Sequence, residues 1–199
     1  MPSAAHAQPS LFGVDPVLPE GFRYQSDLIG AEEEVEVAAW LETLEFKPYE
    51  FQGYLANRRV VSFGLRYDDR TRQVGPAAPI PDRLKPLRAK AAAFAGLEAE
   101  ALEHVLINEY RPGAPIGWHR DRPQFGEVVG VSLLSPCVFR LRRRTPGGFD
   151  RVSLRLEPRS AYVMRGPARS EWEHSIPPAQ ELRYSVTFRT MRSPGFTQY

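Results

Sequence analysis

The stretch HVLINEYRPGAPIGWHRD, His104 to Asp121, decides the reading of this chain. Taken with a period of two, it predicts strands over 104–111 and 116–121. Side chains alternate faces along a strand, so Asn108 and Tyr110 share a face, and so do His119 and Asp121. Further strands are expected downstream at 128–134, 137–144, 151–157, 160–165 and 183–191. Thr145-Pro146-Gly147-Gly148 is a strong turn signal between two of them.

Upstream the pattern changes. Residues 31–44 predict a helix with Val35, Ala38, Ala39 and Leu41 on one stripe, and Glu32 to Glu34 favour its N-terminus through the helix dipole. Two runs, 49–54 and 59–65, predict a β-hairpin turning around Ala56-Asn57. Residues 75–81 read as a proline-rich loop. A second helix over 84–95 is expected to be irregular at Pro86 and to end at Gly96 in the C′ position. Residues 1–20 hold Pro2, Pro9, Pro16 and Pro19 and read as a mobile tail ahead of one domain over 21–199. No internal repeat is visible. Helices followed by many short strands give a mainly β fold with flanking helices (α+β), an antiparallel sandwich or jelly roll with helices on one side.

Composition narrows the class. The 199 residues are 42% hydrophobic and 25% charged, which suits a globular domain and excludes a wholly disordered chain. The lone cysteine, Cys137, excludes an internal disulfide and a multi-cysteine zinc module, and reads as a small buried residue. No run reaches the ~18 apolar residues of a membrane span, and Met1 to Gly13 lacks the features of a secretory signal. A cytoplasmic protein without membrane contact or an obligate protein partner is expected. Charge is unevenly placed: residues 1–57 carry ten acids against two bases, and 138–192 carry twelve arginines against five acids. Such an arginine-rich half suits phosphates or carboxylates, or is an ordinary solvated face.

Three groups carry candidate chemistry. His119 and Asp121 can chelate one ion, and His174 lies 55 positions further on. Two imidazoles and one carboxylate form a facial triad that suits non-haem Fe(II), although zinc accepts the same ligands. Arg183 and Arg189, six apart, share a strand face with Ser185 and Thr187, while Tyr184, Val186 and Phe188 face the core. Paired guanidiniums of this kind clamp a dicarboxylate. The alternative is an edge strand with its polar side outward. Asn108 and Tyr110 are suitable polar groups for an apolar pocket.

Asn108-x-Tyr110-x-x-Gly113-x-x-Ile116-x-x-His119-x-Asp121 resembles the AlkB family of Fe(II)/2-oxoglutarate dioxygenases. So do Gly166-Pro167-Ala168-Arg169 with Trp172-Glu173-His174-Ser175-Ile176-Pro177, and Arg183-Tyr184-Ser185-Val186-Thr187-Phe188-Arg189. Arg58-Arg59, Gly64 and Tyr67 resemble that family's nucleotide-recognition hairpin more loosely. The resemblance covers about residues 20–192. It implies a double-stranded β-helix over 104–192 with a recognition hairpin or lid over about 45–80. His119, Asp121 and His174 would hold Fe(II). Arg183, assisted by Tyr110 and Asn108, would bind the distal carboxylate of 2-oxoglutarate, with Arg189 near its other end. Dioxygen would be the second cosubstrate. The implied activity is oxidative demethylation of N-alkylated bases in DNA or RNA, releasing formaldehyde, succinate and CO2.

The implied substrate contacts are Arg58, Arg59, Tyr67 and Arg142. Arg140, Arg143, Arg144 and Arg66 would join them in a phosphate channel, and Tyr54, Phe63 and Tyr67 would offer stacking faces. The chain departs from the nucleic-acid members at one position: Pro123 stands four residues after His119, where those members commonly carry an acid, and Glu127 is the nearest substitute. An oxygenase acting on a protein side chain and a silent nucleic-acid-binding module are the rival readings.

Overall fold

The computed structural model describes residues 17–51, 54–68 and 73–192. Among the described residues twelve strands form two antiparallel sheets. In chain order they are β1 (Phe22–Gln25), β2 (Lys47–Phe51), β3 (Tyr54–Asp68), β4 (Gln73–Pro76), β5 (His104–Tyr110), β6 (Ile116–His119), β7 (Phe125–Leu133), β8 (Cys137–Thr145), β9 (Gly148–Leu156), β10 (Ala161–Met164), β11 (Glu173–Ile176) and β12 (Arg183–Met191). The major sheet runs β1-β10-β7-β12-β5-β3-β2, with β4 beside β3. The minor sheet runs β6-β11-β8-β9. The two sheets face each other as a jelly roll, as the sequence predicts.

Period-two alternation gives the major sheet two different faces. Val105 and Ile107 of β5, Val129, Val131 and Leu133 of β7, and Tyr184, Val186 and Phe188 of β12 turn outward. They pack under helices α1 (Ala31–Glu42) and α2 (Lys85–Ala95). The other face looks into the roll and meets Phe139, Leu141 and Leu156 of the minor sheet. Gly130 permits one close approach there: a Cβ at this position would sit 2.4 Å from the Tyr162 ring.

Several local expectations are corrected. The buried stripe of α1 is Glu34, Val37, Ala38 and Leu41, with Val35 67% exposed. Glu34 is drawn in because its Oε1 accepts from the Leu134 amide at 2.8 Å. Pro86 causes no irregularity, since it sits in the first turn of α2, where no intrahelical N–H bond is lost. Gly96 ends α2 at φ 70°, as expected. The hairpin does not turn at Ala56-Asn57: Phe51 pairs with Tyr54, so both residues lie inside a 15-residue β3. That strand is long because it also pairs with β5 from Arg59 to Gly64, which makes the hairpin part of the major sheet. The 75–81 loop begins with the end of β4. The polar stretch before His174 contains a short helix α3 (Gly166–Ser170) and the start of β11. The Thr145–Gly148 turn is as expected, with those two residues paired. Residues 1–16 of the expected tail lie outside the described residues.

Candidate active site

Strand register assembles the triad. Antiparallel pairing of β6 with β11 sets His174 directly opposite His119, with ring centroids 4.2 Å apart. Strand β6 ends at His119, so Asp121 lies just beyond it rather than within an extended strand. Its carboxylate still returns to the histidines: Oδ1 is 3.7 Å from His119 Nε2 and 3.9 Å from His174 Nε2. One ligand atom from each residue lies within 4.8 Å of the other two.

Each member is fixed by a neighbour. His119 Nδ1–H donates to the Gly117 carbonyl at 2.9 Å, which leaves the Nε2 lone pair toward Asp121. Phe139 stacks on His174 at 5.3 Å. Arg189 donates from Nε to Asp121 Oδ2 at 2.9 Å. Arg169 on α3 holds the loop behind Asp121, donating to the carbonyls of Arg122 (2.6 Å), Phe125 (2.9 Å) and Gly126 (3.1 Å).

The electrostatics suit a cation. Burial opposes the charge on Asp121, but Arg189, the two histidines and Arg169 hold its carboxyl well below the usual range. Burial, then the neighbouring His119, pushes His174 down to about 3. Burial also lowers His119, against the pull of Asp121. At neutral pH the cluster therefore offers two neutral imidazoles and one carboxylate, a donor set that fits Fe(II).

A cavity of about 590 Å³ opens over this cluster. Its lining includes His104, Asn108, Tyr110, Ser185 and Arg189; the β5–β12 register pairs Asn108 with Ser185 and His104 with Arg189, and sets Arg183 opposite Tyr110. Arg183 is 1% exposed. Its Nε donates to Ser132 Oγ at 3.1 Å, and its guanidinium lies over the Tyr110 ring at 5.1 Å. Both of its terminal nitrogens are buried without a hydrogen-bond partner among the described residues. An unpaired buried guanidinium is costly, and a carboxylate satisfies that fork. Asn108 Oδ1 accepts from Arg58 Nε at 3.2 Å.

The expected substrate contacts separate. Arg58 is buried in the cavity wall, stacked over Tyr49 at 4.0 Å. Arg59, on the opposite face of β3, is held bidentately by Glu109 at 2.9 and 2.6 Å. Phe63 packs into the core under the helices rather than offering a stacking face. Arg142 lies on the outer face of the minor sheet, paired with Glu173 at 2.6 Å. Arg143 turns to Asp150 and Glu171, and Glu127 faces Arg165. The side chains of Tyr54, Arg66 and Tyr67 lie outside the described residues. Cys137 is buried, and burial raises its thiol pKa, in keeping with a packing role.

Sequence reasoning missed four residues. Arg169 stands inside a motif already singled out, but its carbonyl contacts carry no sequence signal. His104, without a predicted role, lines the cavity and lies 3.4 Å from Arg189. Ser132 and Trp118 are ordinary strand residues until the sheets are assembled.

Against this geometry the comparisons agree. The model of the 2OG-Fe(II) oxygenase superfamily matches residues 33–192, and the chain belongs to that superfamily. Members of this family use Fe(II), 2-oxoglutarate and dioxygen, and the relatives make this chain one of the AlkB type. It is 31% identical over 170 residues to the mouse tRNA (carboxymethyluridine(34)-5-O)-methyltransferase ALKBH8, covering 81% of this chain and 25% of that protein. It is 31% identical over 151 residues to the alpha-ketoglutarate-dependent dioxygenase AlkB of Salmonella typhimurium, covering 69% of this chain and 66% of that one. The solved structure of OsALKBH1 shares the fold at a TM-score of 0.64 and 16% identity, covering 88% of this chain and 99% of that chain. The chain spans 25% to 48% of the length of several curated relatives. No helix among the described residues is long and apolar enough to cross a membrane.

Proposed function

We propose that this chain is an Fe(II)/2-oxoglutarate dioxygenase that removes N-alkyl groups oxidatively, with methylated bases of DNA or RNA as its substrate. The observation that carries this reading is a His-Asp-His cluster in the same roll as a buried arginine whose two terminal nitrogens have no hydrogen-bond partner among the described residues. His119, Asp121 and His174 would hold the iron. Arg183, with Tyr110 and Asn108 beside it, would take the distal carboxylate of 2-oxoglutarate. When bound, iron and its two cosubstrates supply the oxidation of the N-methyl carbon, with formaldehyde, succinate and CO2 as products.

The chain's own residues set the conditions. Neutral imidazoles present lone pairs instead of protons. Arg189 and Arg169 hold Asp121 in place before any ligand arrives, so little reorganisation is needed. Tyr110 and His174, both buried, line the cavity beside the cluster. Arg58 would face the substrate within the cavity, Arg59 and Arg142 would act outside it, and Tyr67 would be a further contact. The segment 45–80 would form the lid, and a cytoplasmic location is part of the same proposal.

Pro123 supports a second reading, an oxygenase acting on a protein side chain, because no acid stands four residues after His119 and Glu127 is engaged by Arg165. The deciding experiment is anaerobic binding of iron and 2-oxoglutarate, followed by aerobic turnover on methylated oligonucleotides. Stoichiometric formaldehyde and succinate are expected. Succinate released on peptides and on no oligonucleotide establishes the second reading. Oligonucleotide binding without any succinate release leaves a silent binding module.

A further inference from the structure

The outer face of the minor sheet carries a feature that the cavity chemistry leaves unused. In β8 and β9 the inward residues Phe139, Leu141 and Leu156 are core, so Arg140, Arg142, Arg144, Arg151 and Arg155 project outward by alternation. Planar groups alternate with cations across this face. Arg142 lies between the rings of Trp118, at 4.4 Å, and Phe149, at 4.6 Å. Arg140 flanks Trp118 at 5.2 Å, and Arg151 flanks Phe149 at 5.1 Å. The result is a ladder: Arg140, Trp118, Arg142, Phe149, Arg151.

Two observations separate this ladder from an ordinary solvated face. The first is charge. Glu173 pairs with Arg142 and Glu157 with Arg155, while Arg144 and Arg151 are exposed and have no ion pair among the described residues. Arg142 and Arg151 stand directly opposite each other on paired strands, an arrangement of like charges that costs stability. The second is continuity. Trp118 belongs to the ladder and also lines the cavity, so the track begins at the cavity rim. Phe149 is 37% exposed at the other end.

We propose that this outer face is a track for the single-stranded polynucleotide flanking the target base. Guanidiniums would contact its phosphates, and Phe149 would offer a stacking surface. The proposal rests on the nucleic-acid reading above and extends it to a surface outside the cavity. Alternate residues of a strand repeat at about 6.6 Å, so Arg140, Arg142 and Arg144 form a regular cationic row. Arg142 and Arg151 lie over the Phe149 ring; on turning to phosphates they would free that ring for a base, a combination that suits a polynucleotide, whereas an acidic peptide uses the charge alone.

The test uses an unmodified 12-nucleotide single strand, fluorescently labelled, titrated with the full chain by anisotropy from 50 to 300 mM salt. Binding in this form does not depend on turnover, so failure of the demethylase reading and failure of the track are separable. The double variant Arg144→Gln, Arg151→Gln is expected to lower the slope of log affinity against log salt by about 1.4, and to lose roughly 25-fold in affinity at 0.1 M salt. Phe149→Ala is expected to lose about fivefold or more with the slope unchanged. Unchanged melting temperature and unchanged Mn(II) binding show that the variants are folded with their cavities intact. The proposal is overturned if the folded double variant binds with wild-type affinity and slope, if the wild type does not bind the strand, or if poly-glutamate of equal charge competes as well as the strand.

Discussion

Arg189 donates from Nε to Asp121 Oδ2 at 2.9 Å, which leaves Oδ1 facing the Nε2 atoms of His119 and His174 at 3.7 and 3.9 Å. One oxygen of the carboxylate is anchored and the other is aimed. The same arginine holds Asp121 ionised and sets its rotamer, so the cluster is organised by a residue 68 positions away in sequence.

His119→Ala is expected to abolish turnover and to weaken Mn(II) binding by at least a hundredfold, while the melting temperature changes little, because the ring is partly exposed and packs at a strand end. Asp121→Ala is expected to lose metal as well and also to melt lower, since Arg189 is left buried without its carboxylate, at a cost of about 3–5 kcal/mol. Calorimetric metal titration and thermal melts check both. Full activity in either variant refutes the ligand assignment.

Arg183→Ala is expected to raise the 2-oxoglutarate requirement roughly ten- to a hundredfold, the worth of a charge-assisted contact of about 1.5–3 kcal/mol. The requirement for the substrate that is oxidised should stay close to that of the wild type. Arg183→Lys keeps the charge but loses the fork, and should lie between the two. Steady-state KM values for each substrate decide it.

Arg169→Ala removes three hydrogen bonds from the carbonyls of the loop behind Asp121. The expected outcome is weaker Mn(II) binding together with a stability loss of about 2–4 kcal/mol. Arg169→Lys should recover part of both, because an ammonium can satisfy some of the same carbonyls. Wild-type metal affinity in Arg169→Ala would show that this loop needs no clamp.

Burial, then the nearby Arg189, pushes His104 down to about 3, and His174 is pushed down as far. Their folded values lie below the ordinary 6.5, so the unfolded chain binds protons more readily in this interval. Stability of the metal-free protein is therefore full above about pH 6.5 and is lost progressively as pH falls toward 3, by about 1.4 kcal/mol per pH unit for each histidine. His104→Gln should remove one such share of the slope. Urea unfolding between pH 4.5 and 7.5 measures it, and equal slopes in both proteins would contradict the assignment.

Much of this molecule is legible along the chain. Gly96 ends a helix because only a residue tolerant of φ 70° suits that position, and Pro146-Gly147 joins β8 to β9. Strand β12 reads as two faces because Tyr184, Val186 and Phe188 alternate with Arg183, Ser185, Thr187 and Arg189, and the structure buries both sets. Illegible were the features that depend on a partner. Val35 looks as apolar as Val37, but the bond from Leu134 to Glu34 fixes which face of α1 turns inward. Arg58 and Arg59 look equivalent, but β3 sends one into the cavity and the other to Glu109.

By itself the sequence determined the residue types and the two-residue period that sorts them to faces, and hence that Arg183 and Arg189 are available on one side; Asp121 lies past the end of β6, so its return to His119 is a product of the fold. Tertiary structure alone decided which of those sides meet. The β6–β11 register brings His174 across from His119, and the β5–β12 register brings Tyr110 to Arg183. A slip of one residue in either pairing would turn these side chains to the opposite face. Register is chosen by what each sheet buries against its neighbours when the two sheets assemble, and no local stretch of chain contains that information.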